Sequence, residues 1–367
     1  MSMKFQNFKK YYFYFISTVI FGILFIVTLI LYTKAYKNEK IMNSIYKKNH
    51  HAILSDRVTR FYILNNAKKL DHIIMGSSSG WVLNPKMIED SYQSDGAINI
   101  SLGGGSVNEH HKFILWILEN KKEVKEIMLN LEPNTFHNKV YSRLPYELEI
   151  SLKDKVGNFF SFITVKDAIK ILLTKFGLLP KKTFPIEKNT NDSYFYYGFR
   201  HYPEYFQRLK NDKMMKKMVN DLKNGAYQIY QDKEYNKLAF KNLAKILKIT
   251  KKKNIQVKLF FDPVTYRKLK SNNYEYLYSE LKIIKKIVND FNHDVLFFNN
   301  LNKINYSLDL FEDGHDHYNY DAGKIVLEEI LKDELKIGIK ISKNNFNDVL
   351  YTLIKKIEKR TKLDALH

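Results

Sequence analysis

The stretch His72-Ile73-Ile74-Met75-Gly76-Ser77-Ser78-Ser79-Gly80 decides how the rest of the chain is read. Its first four residues form the short, mostly apolar run expected of a strand covered on both faces. The five small residues that follow it predict a sharp turn, with Ser78 at its centre.

The same sentence structure recurs outward from that point. A second run, Ala97 to Ile100, ends in Ser101-Leu102-Gly103-Gly104-Gly105, and a helix from about Val107 to Asn120 follows. A third run, Glu126 to Leu131, ends in Glu132-Pro133-Asn134. Further on come strand Gln256 to Phe261, an amphipathic helix around Tyr274 to Asp290, strand Asp294 to Phe298 and a closing helix from Ala322 to about Lys336. Strands alternating with helices predict an α/β domain over residues 70–336, a parallel sheet flanked by helices. Ligands in such sheets bind beyond the carboxyl ends of the strands, where these Ser, Gly and Asn residues fall. Residues 141–250 break the rhythm and read as a helical insertion, and 337–367 as a C-terminal helical extension.

Upstream, Tyr11 to Tyr32 carries no charge, and a helix of that length rises roughly 30 Å, enough to cross a bilayer. The aromatic cluster Tyr11 to Phe15 and Tyr32 sit where interfacial rings belong. Residues 1–10 then form a short tail, 11–32 a transmembrane anchor, and 33–69 a helical stalk. A cleaved signal peptide would show small residues after a shorter apolar run, whereas Thr33-Lys34-Ala35-Tyr36-Lys37 follows here. Lys4, Lys9 and Lys10 before the helix balance Lys34, Lys37 and Lys40 after it, so flanking charge alone leaves the orientation open.

Lys plus Arg outnumber Asp plus Glu by 60 to 39, a formal charge of +21 that attracts polyanions. Much of the excess is Lys accompanied by Asn, Ile and Tyr, a bias that composition alone also produces. No paired-Cys zinc spacing or aromatic RNA-binding strand is present, which argues against nucleic acid as the partner. With no cysteine, disulfides and thiolate chemistry are excluded.

Four elements carry possible chemistry. Ser78 ends a strand in a turn of small residues and becomes a nucleophile if a base takes its proton and donors receive the oxyanion; the same residues also make a plain tight turn. Gly103-Gly104-Gly105 exposes backbone amides or is simply a flexible loop. Asn134 can donate to an oxyanion or act as a turn residue. Phe311-Glu312-Asp313-Gly314-His315-Asp316-His317-Tyr318-Asn319 offers a histidine base with neighbouring carboxylates, a His-x-His metal pair or a solvated loop. His110 and His111 are adjacent on a helix and so do not face one site.

In this order the blocks resemble the SGNH, or GDSL-like, hydrolase superfamily, across Leu70–Asn134 and Gln256–Leu335. Gly76-Ser77-Ser78 stands where that family has Gly-Asp-Ser, Ile98 to Gly104 resembles its glycine block, Leu131-Glu132-Pro133-Asn134 its asparagine block, and His317-Tyr318-Asn319 with Gly323 its histidine block. The resemblance implies a flavodoxin-like sheet, Ser78 as nucleophile, His317 as base, and an oxyanion hole from Ser78, Gly104 and Asn134. The family's aspartate three residues before the histidine is Gly314 here, leaving Asp313, or alternatively Asp316, to orient His317.

Gly-Ser-Ser followed by Asn84-Pro85 behind one N-terminal anchor is similar to the cell-envelope branch, which includes the D-alanyl transfer protein of teichoic-acid modification and exopolysaccharide O-acetylation proteins. That likeness implies acyl transfer onto an envelope polymer or glycan, beside a membrane-bound O-acyltransferase, on the outer face of the membrane and without a metal or other cofactor. A carbohydrate esterase or deacylase on the same scaffold, or a non-catalytic component binding polymer or a partner, are the alternatives.

Overall fold

A computed structural model describes residues 2–33, 56–136, 237–311 and 317–364, together with residue 148. The chain divides into two compact units, residues 1–62 with 142–184, and residues 63–141 with 185–367. In the first unit, helix α1 (Ser2–Thr33) contains a window, Lys10–Val27, long and apolar enough to cross a membrane, with a mean hydropathy of 1.8. The helix reaches back through most of the tail expected at 1–10. Of the expected stalk, α2 (Asp56–Asn66) is helical, and 34–55 lie outside the described residues.

The second unit is built on a six-stranded sheet. In chain order, β1 (His72–Met75) leads through a 3-10 turn (Ser78–Val82) and α3 (Pro85–Tyr92) to β2 (Ala97–Asn99); α4 (Val107–Asn120) then leads to β3 (Glu126–Leu131). A 3-10 turn (Pro133–Phe136) closes β3. After the undescribed stretch come α5 (Lys237–Lys252), β4 (Gln256–Phe261), α6 (Tyr266–Asp290), β5 (Val295–Phe297), α7 (Lys303–Tyr306), α8 (Tyr320–Lys332), β6 (Ile339–Ile341) and α9 (Phe346–Asp364). The sheet order is β2-β1-β3-β4-β5-β6, with β1 to β5 parallel and β6 antiparallel to β5.

The strands form because their residues have nowhere else to go: every residue of β1 and β3 is buried, as a parallel sheet covered on both faces requires. Local signals start the helices. Asn84 caps α3 by accepting from the Lys86 amide, with Pro85 at the first helical position where its missing N–H costs nothing. Ser106 and Glu109 form a reciprocal capping box at the start of α4.

One expectation needs correction. The sheet is mixed rather than wholly parallel, because Ile339–Ile341, read as part of a helical extension, pairs with β5 (Val295 opposite Ile341) before α9 begins. Of the helical insertion expected over 141–250, residues 237–250 are helical, as part of α5, which packs on α4, with Asn242 Nδ2 donating to Asn108 Oδ1 at 2.9 Å. α5 therefore belongs to the crossover that returns the chain to the sheet, and residues 141–236 of the expected insertion, apart from 148, lie outside the described residues.

Strand order reverses between β1 and β3, and a doubly wound sheet opens a crevice at that point, beyond the carboxyl ends of the strands. Ser78 follows β1 and Glu132 follows β3 at this edge.

Candidate functional site

Gly76 carries the chain out of β1, and it must be glycine because of what lies beside it. A Cβ there would stand 2.4 Å from Asn130 Cβ, on a strand locked in register with its own (Met75 opposite Leu129). Neither backbone can retreat without breaking the ladder. Gly76→Ala is therefore expected to destabilise the domain by about 1–3 kcal/mol or more, read as a drop of several degrees in the thermal unfolding midpoint.

The three serines of the turn are sorted by burial and bonding. Ser77 and Ser79 are buried and their hydroxyls bond to one another at 2.8 Å. Ser79 Oγ donates onward to Asp262 Oδ2 at 2.7 Å. Ser78 is the one partly open to solvent, and its Oγ lies 2.9 Å from His317 Nε2. With the imidazole neutral and protonated at Nδ1, Nε2 accepts the Ser78 hydroxyl, the arrangement a general base needs. The pair is separated by 239 residues in sequence.

His317 stands beside backbone contacts that fix its place. Phe311 and Tyr318 form an antiparallel bridge, and the Asn319 amide donates to Leu310 O at 2.8 Å. Asn319 also caps α8 through the Ala322 amide. Asp313 and Asp316, expected to orient His317, lie outside the described residues, as does His315.

Gly104 lies in the loop after β2, half-buried, with a φ of 60°, the left-handed region in which glycine is unstrained. Asn134 lies in the 3-10 turn after β3, also half-buried. Because β2 and β3 flank β1, both residues occupy loops neighbouring that of Ser78. His110, on α4, is fully buried, and its Nε2 faces Gly76 O at 3.1 Å, supporting the turn from behind.

Sequence reasoning missed the acids beneath. Asp262, directly after β4, is buried, and its Oδ1 accepts from Tyr318 OH at 2.8 Å. Burial pushes its carboxyl up to about 7, against the pull of the hydroxyls of Ser79 and Tyr318; Glu132 raises it further and His317 lowers it. Glu280 on α6 is likewise buried, bonded to Asn299 Nδ2 at 2.9 Å, and burial holds it well above the ordinary carboxylate range. The available signal for Asp262 was the one used for Ser78 and Asn134: a polar residue ending an apolar run, here Phe260-Phe261-Asp262-Pro263.

The opposite edge of the sheet has a different character. A cleft of about 1220 Å³ opens at the amino ends of β4 and β5, lined in part by Lys258, His293 and Lys340. Lys258 is paired with Glu126 at 3.1 Å, Lys340 with Asp294 at 3.4 Å, and His293 Nε2 faces Val257 O at 3.0 Å. Large as it is, among the described residues this cleft shows no hydroxyl bonded to a histidine, whereas at the carboxyl edge Ser78 meets His317. Among the described residues, no group of three or more His, Asp or Glu side chains is placed to hold a metal ion.

No family model and no curated protein matches the chain.

Proposed function

We propose that the chain is a membrane-anchored, serine-dependent acyl-transfer protein of SGNH type, acting on a cell-envelope polymer or glycan. One observation carries this reading: of three consecutive serines, two are committed to buried hydrogen bonds and the third meets an imidazole nitrogen at 2.9 Å. In the proposed reaction His317 takes the Ser78 proton as Oγ attacks an ester or thioester carbonyl. The amides of Ser78 and Gly104 and the side chain of Asn134 receive the oxyanion, and the leaving group departs with a proton from His317; a sugar or polyol hydroxyl then gives its proton to His317 as it takes the acyl group, and the Oγ–acyl bond breaks as His317 returns that proton to Ser78. The strand order β2-β1-β3-β4-β5 is that of a flavodoxin-like sheet, in keeping with the SGNH reading.

The apolar helix α1 supports an anchor at the membrane, and the formal charge of +21 suits an anionic polymer as acceptor or platform. We place the catalytic domain outside the cytoplasm, beside a membrane-bound O-acyltransferase that supplies the acyl group.

A membrane-impermeant fluorophosphonate applied to intact wall-stripped cells tests chemistry and orientation together. The expected result is an adduct on Ser78, located by peptide mass spectrometry and lost in Ser78→Ala. Labelling only after permeabilisation overturns the orientation. No adduct under either condition overturns catalysis and leaves a polymer- or partner-binding role. With an activated ester in place of the fluorophosphonate, an acyl group that discharges to water as readily as to added polyol makes the protein an esterase rather than a transferase.

A further inference from the structure

We propose that Asp262 is the positioning residue of this site: one buried carboxylate that fastens the neighbours of Ser78 and His317 to a single point and favours the charged form of the imidazole. The proposal rests on the acyl-transfer reading of Ser78 and His317.

The geometry is economical. Asp262 Oδ2 accepts from Ser79 and Oδ1 from Tyr318, at 2.7 and 2.8 Å, and these residues directly follow Ser78 and His317 in sequence. Two loops that arrive from distant parts of the chain therefore share one anchor. Ser77 extends the chain of hydroxyls on the serine side, through its 2.8 Å contact with Ser79. Both anchored side chains are buried, so water does not substitute for the carboxylate when it is removed. A shift of one anchor by about 1 Å displaces the reacting atom next to it comparably, and misplacement on that scale costs on the order of a hundredfold in rate.

The anchor is itself held. Asn299 Nδ2 donates to Asp262 O at 2.8 Å, and Asn299 Oδ1 accepts the Val264 amide at 2.7 Å, tying the loop after β4 to the end of β5. Asn305 Nδ2 donates to Val264 O at 2.9 Å.

The electrostatic half follows from the charges that face Asp262. Glu132 after β3 opposes its ionisation and His317 favours it; Asp262 and Glu132 in turn oppose the ionisation of Glu280 on α6, which Lys268 favours. No ion pair to Asp262 is present among the described residues, so the positive charge nearest in role is the imidazolium that forms when His317 takes the Ser78 proton. The carboxyl of Asp262 is raised to about 7, so its ionised form, populated from about that pH upward, stabilises that imidazolium through space.

The test uses the full-length protein in detergent micelles, as wild type and as Asp262→Asn, which keeps the volume of the side chain but removes its charge and turns one of the two acceptor oxygens into a donor. The first readout is the pH dependence of His317 carbethoxylation by diethylpyrocarbonate, which requires the neutral imidazole and does not depend on Ser78. The second is the rate at which a fluorophosphonate phosphonylates Ser78: the Oγ–P bond forms, fluoride leaves, and the hydroxyl proton passes to His317.

Asp262→Asn is expected to lower the His317 half-reaction pH by about half a unit or more and to slow phosphonylation about 10- to 100-fold. A substitution that merely loosened packing would slow the reaction without moving that pH. An unmoved His317 midpoint overturns the proposal even if phosphonylation slows. A moved midpoint in a protein whose wild-type Ser78 is never phosphonylated leaves the positioning role standing and removes the acyl-transfer reading instead. Should Asp262→Asn not fold, Tyr318→Phe and Ser79→Ala each delete one of the two hydrogen bonds; each is expected to move the midpoint in the same direction, and no movement in either overturns the proposal.

Discussion

Ser78→Ala is expected to lower acyl turnover roughly a millionfold, His317→Ala to do much the same, and the double variant to be no worse than either alone. The reason is the 2.9 Å contact between Oγ and Nε2. A nucleophile and its base act as a unit, so the second deletion removes nothing that the first has left working. Turnover of an activated ester with a polyol acceptor gives the measurement. If the two losses multiplied in the double variant, the residues would be contributing independently, and the proton relay between them would be wrong.

The second large effect concerns stability rather than rate. Asp262 has its carboxyl raised from 3.8 to about 7 by burial, so the folded protein holds that proton more tightly than the unfolded chain does. Stability tied to this proton is fully present below about pH 4 and is lost as the pH rises through about 7. Over that interval the loss amounts to about 4 kcal/mol, from 3.8 to about 7 at 1.36 kcal/mol per pH unit. Asp262→Asn has no proton to lose. The wild type should therefore lose stability relative to this variant by about that amount between pH 4 and pH 8, measured by denaturant unfolding in micelles. Glu280 and Glu132 remain in both proteins, so their own titration largely subtracts. A stability difference that stayed constant across the range would show that Asp262 is ionised in the folded protein throughout.

Much of the sheet was legible because burial on both faces leaves a plain mark. His72–Met75, Glu126–Leu131 and Gln256–Phe261 are compact, mainly apolar runs, and all three are strands with those bounds. Ile339–Ile341 left no such mark. It is three residues long with a lysine at its centre, and only the exposed edge of β5 makes it a strand. Helix α5 was hidden for a different reason: its lysines and aromatics continue the composition of the residues before it, and only its packing on α4 assigns it to the sheet.

At the site, Ser78 was legible as a polar residue ending an apolar run, while the choice of His317 over His315 came from the resemblance to SGNH hydrolases. Which of three adjacent serines faces the histidine is decided by burial, a property of the assembled edge. Asp262 and Glu280 illustrate the limit further, since a carboxyl has the same letter whether it is solvated or enclosed, and what raises both is enclosure among residues from other elements.

The pairing of β3 with β4 joins Leu131 to Phe261, and β4 must be present before Asp262 can meet Ser79. On a chain made from its amino terminus, α1 and the Ser78 turn emerge early, while Tyr318 and His317 emerge near the end. Until then, Ser78 is an ordinary hydroxyl with no base at hand. On the proposed reading, the serine is thus armed only once the strand carrying Asp262 and the residues around His317 have been made and packed, and a product truncated before His317 would carry Ser78 yet show no acyl transfer.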